Sequence, residues 1–315
     1  MEVYQTWQNI KEKYPKLAVG LGNFDGVHLG HQTLIRELVT AAKKICGHSL
    51  IFTFHPHPTV VLDPGNAPPL LLTRQTKENM IARLGVDILL RVPFTIDFAR
   101  IPPEDFISRV IVSGLGAQAV FVGYNYTFGY QGRGTVDLLK EYGEKHDYEL
   151  YVIPPVVIDG KIVSSTLIRQ LLKAGEVAEA AKYLGYLPFI ESTVVAGDKR
   201  GSGLGFPTAN LEPDEQVFVP ANGVYSVRVP VNGDVFQGVA NVGVRPTFYG
   251  QAEKTSIEVH LLNFQGDLYG KSIQVFFIQR IREEKRFASP TELIAQIKQD
   301  ILKARFTEDL SGRNE

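Results

Sequence analysis

Apolar positions in the first half of the chain follow two alternating periods. Leu17 to Gly22 is a short apolar run ending in glycine, after which Leu34, Ile35, Leu38, Val39, Ala42 and Ile45 repeat at helical spacing. Ser49 to Phe54 is a second apolar run. A proline-rich loop follows, then a helix is predicted from about Gln75 to Leu84, closed by Gly85. Val86 to Val92 reads as a strand, Pro102 and Pro103 open a helix ending near Gly114, and Ala117 to Val122 reads as a further strand. Strand, helix, strand in this order predicts an α/β domain, a parallel sheet with helices on both faces. Ligands of such sheets sit beyond the carboxyl ends of the strands.

Two amphipathic helices, Thr166 to Lys173 and Glu176 to Leu184, close this half, and then the period changes. Gly223 to Val229, Val235 to Ala240, Thr255 to Leu262 and Ile273 to Ile281 are short alternating runs, and Asn232-Gly233 is a hairpin signal between the first two. Many short strands at close spacing predict a small closed antiparallel barrel. A terminal helix from about Pro290 to Ala304 carries Leu293, Ile294, Ile297 and Ile301 on one face. The boundary falls near Tyr186 to Pro188, giving domains 1–186 and 187–315.

Composition narrows the function classes. The 315 residues suit two domains. Thirty-three Lys and Arg against 34 Asp and Glu leave a net charge of −1, without the basic excess of a phosphate-gripping nucleic-acid binder. Cys46 is the single cysteine, which excludes an internal disulfide and fits a reducing compartment. Neither a signal-peptide pattern nor an apolar run of about 20 residues is present. The expectation is a cytoplasmic protein with no membrane or nucleic-acid partner, a monomer or weak homo-oligomer.

Candidate chemistry concentrates at the predicted strand ends. Gly22-Asn23-Phe24-Asp25-Gly26-Val27-His28-Leu29-Gly30-His31 joins the first strand to the first helix. Glycines admit a phosphate close to the backbone, the helix N-terminus favours it, and His28 and His31 share a face. The same imidazoles with Asp25 also form a possible zinc set. His55-Pro56-His57-Pro58 should emerge on the same edge. Gly123 to Gly129 follows the strand Ala117 to Val122, and its aromatics with Asn125 suit a ring-stacking wall with one polar anchor. Ser164-Ser165-Thr166-Leu167-Ile168-Arg169 opens a helix, with Arg169 placed to clamp a pyrophosphate.

In the second half, Gly197 to Gly205 is glycine-rich and carries Lys199 and Arg200, suited to folding over phosphates. Thr208 and Asn210 are hard oxygen ligands two residues apart, which suits magnesium. Glu258 lies on the strand face opposite Ile257 and Val259; inside a small barrel it would serve as a general base. Gly270-Lys271-Ser272 imitates the tail of a P-loop, but Gln265 stands where the first glycine belongs and the setting is a turn between strands.

These motifs resemble those of the bifunctional riboflavin kinase/FMN adenylyltransferase family, the FAD synthetases. The resemblance covers nearly the whole chain. His28, Gly30 and His31 match the nucleotidylyltransferase signature, and Ser164 to Arg169 match a second one without a gap. Pro207 to Asn210, and Glu258 with Val259 and His260, match the kinase motifs. The family implies a Rossmann-like adenylyltransferase domain followed by a riboflavin kinase barrel, using ATP with Mg2+ on riboflavin and FMN. It implies that His28, His31, Arg169 and Glu258 are catalytic. Gly22, Phe24, Asp25, Gly30, Asn125, Ser165, Thr166, Gly197, Lys199, Gly205 and Pro207 then bind nucleotide. His57, Tyr126, Phe128, Arg282 and Phe287 border the flavin, and Thr208 and Asn210 hold the metal. The chain departs from the common pattern at Ala196, Ser202, Asn125 and Thr127, but not at the metal or base positions. An FAD synthetase with an inert kinase half, and a non-catalytic flavin-binding regulator, are the alternatives.

Overall fold

The structure is a computed structural model describing residues 1–197, 203–245 and 254–305. The chain divides into two compact units, Met1–Ser164 and Ser165–Glu315.

In the first unit, strands β1 (Glu2–Tyr4), β2 (Leu17–Leu21), β3 (His48–Phe54), β4 (Ile88–Val92), β5 (Ala117–Gly123) and β6 (Glu149–Ile153) form one sheet in the order β1-β4-β3-β2-β5-β6. Every pairing is parallel. Alternation along β2 divides its two faces. Leu17, Val19 and Leu21 join the core cluster with Phe106, Ile107, Val110, Ile111 and Leu115 of the helix Phe106–Leu115. Gly20 faces the helix Leu29–Lys44, where a Cβ would come within 2.9 Å of Ile51 and 3.1 Å of Leu38. With helices on both faces, β2 is buried along its length and so reads as a continuous apolar run.

The chain steps from β2 through β3 to β4 on one side and then returns to place β5 on the other. The β2/β5 boundary is therefore the switch point, where the strand ends diverge and leave a crevice. Sequence patterning missed the three-residue β1, the helix Val136–His146, the edge strand β6 and the hairpin β7 (Val157–Ile158) with β8 (Lys161–Ile162). The helix expected from Pro103 to Gly114 is instead a short α-helical turn, Pro103–Asp105, continued by wider π-helical turns to Leu115.

The second unit begins with the helices Ser165–Ala174 and Val177–Leu184. Strands β9 (Phe189–Val195), β10 (Ala209–Leu211), β11 (Gly223–Val231), β12 (Asp234–Arg245), β13 (Lys254–Leu261) and β14 (Ser272–Arg282) then close a barrel in the order β10-β13-β12-β11-β14-β9. All pairings in it are antiparallel. Asn232 and Gly233 both have positive φ, as the tight β11–β12 turn requires. Ala240, Val242, Ile257, Val259, Val275 and Phe277 are buried. The C-terminal helix Pro290–Arg305 packs on β11, β12 and β14. No described helix is long and apolar enough to cross a membrane.

Candidate functional site

The loop after β2 is held in an uncommon shape. Phe24, Gly26 and Val27 have φ of 53°, 82° and 35°, so one glycine and two residues with side chains occupy the left-handed region. A Cβ on Gly26 would meet Leu71 at 2.6 Å. Asp25 is buried and its carboxylate accepts the Leu71 N–H at 2.9 Å, so it serves here as an anchor of the loop. Phe24 is buried with its ring against His31, 5.3 Å between centroids, and Gly22 leaves the space that ring needs.

His28 caps the helix Leu29–Lys44. Its Nδ1 accepts the His31 N–H at 3.4 Å, which makes Nε2 the donor nitrogen of a neutral ring. The His28 and His31 rings stack 3.6 Å apart at 15°, and a Cβ on Gly30 would come within 3.3 Å of the His28 ring, which would have to give way slightly. Burial pushes His28 down to about 4. It pushes His31 well below the ordinary imidazole range, with the His28 and Lys77 charges adding to the effect. Two neutral imidazoles stacked face to face avoid the repulsion that two cations would suffer at this spacing. His31 Nδ1 is enclosed without a hydrogen-bond partner among the described residues.

The parallel register brings the loops after β2, β3 and β5 to one sheet edge. His57 caps the short helix Pro58–Leu62 and bonds Thr59 Oγ1 at 2.7 Å. Asn125 is exposed on a turn in which the Tyr126 N–H bonds the Gly123 carbonyl at 3.0 Å. Tyr126 stacks on Phe128 at 5.8 Å, and Phe128 packs on Phe106 in the core. Burial holds the Tyr126 hydroxyl well above its usual range.

Lys77 is a residue of this edge that sequence reasoning missed. Its Nζ reaches the Asn23 carbonyl at 3.0 Å from the helix Arg74–Arg83. Ser165, Thr166 and Arg169 lie in the first helix of the second unit, Ser165 and Arg169 half-buried and Thr166 exposed. Their assignment to adenylyl transfer rests on the resemblance.

In the barrel the expected residues meet through strand register. Asn210 of β10 stands directly across from Glu258 of β13, and Glu258 directly across from Asn241 of β12. Directly paired residues share a face, so the three side chains form one row. Ile257 and Val259 point into the core, which puts Glu258, half-buried, on the outer face. This corrects the expectation of a carboxylate inside the barrel: the interior is filled by apolar side chains, and Glu258 is on the wall.

Gly197 lies against the buried Asn210 amide, where a Cβ would come within 2.2 Å. His260, two residues beyond Glu258, bonds the Pro207 carbonyl through Nδ1 at 2.8 Å and so fixes the approach to Thr208. Asn241 Nδ2 donates to Glu284 Oε1 at 3.3 Å, and Gly243 leaves room for that carboxylate. Patterning found neither the His260 nor the Glu284 contact, since each joins segments far apart in the chain.

Arg282 forks onto Asp300 of the C-terminal helix with three bonds of 2.8 to 3.1 Å, and its guanidinium lies 5.7 Å from the Phe287 ring. Gly205 has φ of 86°. Lys199, Arg200 and Ser202 lie outside the described residues. Gly270-Lys271-Ser272 is a turn leading into β14, as expected of a chance P-loop likeness. Among the described residues no group of three His, Cys, Asp or Glu is placed to hold a metal. Thr208 and Asn210 instead offer a hydroxyl and an amide oxygen, donors that fit a hard cation shared with phosphates.

The comparisons with known proteins divide the chain in two. The family model for FAD synthetase matches residues 10–167, and that for riboflavin kinase matches residues 184–307. The chain is 39% identical over 297 residues to the bifunctional riboflavin kinase/FMN adenylyltransferase of Bacillus subtilis, covering 92% of each chain. It is 38% identical over 286 residues to the protein of that name from Escherichia coli K12, covering 90% of each. A crystal structure described as a macrolide-efflux protein from Streptococcus pneumoniae superposes with a TM-score of 0.87 at 32% identity, covering 98% of this chain and all of that one.

Proposed function

The chain belongs to the bifunctional riboflavin kinase/FMN adenylyltransferase family, and we propose that it makes FMN from riboflavin in the barrel and FAD from FMN at the sheet edge. The observation that carries this reading is the row Asn210–Glu258–Asn241, a base beside a hard-oxygen ligand on the matched kinase segment. The functional division into 1–186 and 187–315 draws support from family matches that end at residue 167 and resume at residue 184, whereas the compact units divide between Ser164 and Ser165.

In the first reaction Glu258 takes the proton of the ribityl hydroxyl as that oxygen attacks the γ-phosphorus of ATP, and ADP leaves. Thr208 and Asn210 would hold Mg2+, which when bound neutralises charge on the phosphates. Gly197 keeps the Asn210 amide in place, and His260 keeps Pro207 and Thr208 at the same wall.

In the second reaction a phosphate oxygen of FMN attacks the α-phosphorus of ATP in line, and pyrophosphate leaves. No protein nucleophile is needed, so the residues position the reactants and stabilise charge. His28 donates from Nε2 to the phosphate chain as its charge grows, with His31 stacked behind it. Ser165, Thr166 and Arg169 serve the pyrophosphate side. Cytoplasmic placement suits a chain whose lone Cys46 is exposed as a free thiol.

The test is incubation of the purified protein with riboflavin, ATP and Mg2+, followed by chromatographic separation of the flavins. FMN rising first and FAD following is the expected result. FAD formed only when FMN is supplied would overturn the kinase half. Turnover of neither flavin would overturn both.

A further inference from the structure

The first unit contains a cation that the two reactions above leave without a role. Lys77 is half-buried in the first turn of the helix Arg74–Arg83, a place where the helix dipole disfavours positive charge. Its Nζ donates to the Asn23 carbonyl at 3.0 Å and reaches Thr53 Oγ1 at 3.5 Å, and the Thr53 hydroxyl donates to the same carbonyl at 3.2 Å. Both partners are neutral. Among the described residues Lys77 forms no ion pair: Glu78 is taken by Arg91, and Asp25 accepts the Leu71 N–H. Burial lowers its affinity for a proton, which Asp25 and Glu78 partly restore, while its own charge bears on both His31 and His55.

A largely desolvated ammonium that makes no direct ion pair is costly unless an anion completes it. Asn23 follows β2 and Thr53 belongs to β3, so Lys77 stands on the β3 side of the stacked histidines, away from β5. The nucleotide uses the switch point between β2 and β5. In-line attack needs the nucleophile on the face of the α-phosphorus opposite the departing pyrophosphate, and β3 borders the free side. Two polyanions must also meet there, and a cation between them reduces their repulsion.

We propose that Lys77 receives the phosphate monoester of the acceptor flavin, a binding role that rests on the adenylyl transfer described above. One ammonium proton is left over from Asn23 and Thr53 for a phosphate oxygen.

The experiment uses the full chain with FMN and ATP. Lys77→Met should raise KM for FMN about tenfold or more and leave KM for ATP within about twofold, since only the charge facing the acceptor is lost. Lys77→Arg should recover most of the loss, and Thr53→Val, which keeps the charge, should cost less than about threefold. Equal losses in the Met and Arg variants, or in Lys77→Met and Thr53→Val, would mean that the side chain only fixes the loop, and would overturn the assignment. A rise in KM for ATP alone would give the cation to the triphosphate and overturn it as well.

Equilibrium binding of FMN separates this idea from the function it rests on. FMN also binds the barrel as product, so the informative sites are those whose affinity falls in Lys77→Met. If FAD is not made yet such sites are seen, the function fails and Lys77 stands. If FAD is made and no FMN site changes affinity, Lys77 fails and the function stands.

Discussion

The two regions proposed to handle phosphates are built by opposite means. At the sheet edge the candidate residues sit in loops, and the strands only deliver them: β2, β3 and β5 run parallel, so three loops far apart in sequence emerge together. On the barrel the candidate residues sit on the strands themselves, where Asn210, Glu258 and Asn241 are aligned by antiparallel register. A loop site can enclose its side chains, and it does: His28 is 6% exposed and neutral. A strand site on an outer wall stays open on one side and keeps Glu258 half-buried, within reach of a hydroxyl that must arrive and leave. Enclosure suits a reaction whose groups only hold and orient phosphates. An open wall suits the proposed kinase step, in which Glu258 would take the hydroxyl proton.

If the regions work independently, damage to one should spare the other. Glu258→Gln keeps the shape of the row and removes the base, so FMN formation should fall by about 10³-fold with FAD formation from supplied FMN unchanged. Loss of both would break the comparison. His28→Ala should do the reverse, lowering FAD formation by about 10²-fold or more while riboflavin is still phosphorylated. Gly197→Ala sharpens the contrast without touching a chemical group. The new methyl would sit 2.2 Å from the Asn210 amide and force it out of the row, so FMN formation should fall at least about tenfold. Normal rates in that variant would show that Asn210 can move without loss. Each effect is read by separating the flavins after timed incubation.

The strands and helices with clean periodicity were legible in the sequence, and so was the class of each unit. The elements that escaped have local causes. The helix Val136–His146 contains Gly143, a poor helix former kept because a Cβ would strike the Tyr148 carbonyl at 2.8 Å. Strand β6 lies at the sheet edge with Tyr151 and Val152 both exposed, so its pattern lacks a buried face. In the sites, glycine and histidine announced themselves because a tight backbone and a stacked ring need those residue types. Lys77 did not: in sequence it is one more lysine on a polar helix, and its meaning depends on a carbonyl 54 positions earlier. The resemblance places Arg282 beside the flavin, but the fork of that side chain onto Asp300 of the terminal helix is a pairing that alternation along β14 cannot reveal.

The smallest effect concerns stability, and only the enclosed site should show it. His28 ionises near 6.5 when exposed and at about 4 in the fold, because burial disfavours its cation. Between those values the unfolded chain binds a proton that the native one refuses, so stability rises with pH across the window and is lost as pH falls through it. The difference amounts to roughly 1–3 kcal/mol for one group. His31, shifted in the same direction, adds to it. The barrel unit has a single histidine, His260, which is half-exposed rather than enclosed. Calorimetry at pH 7 and at about pH 4.5 should therefore show the transition of the sheet unit falling further than that of the barrel. His28→Gln, which cannot take up the proton, should narrow the gap. An unchanged gap in that variant would mean that His28 is not held neutral by burial, and the contrast between an enclosed site and an open one would lose its electrostatic half.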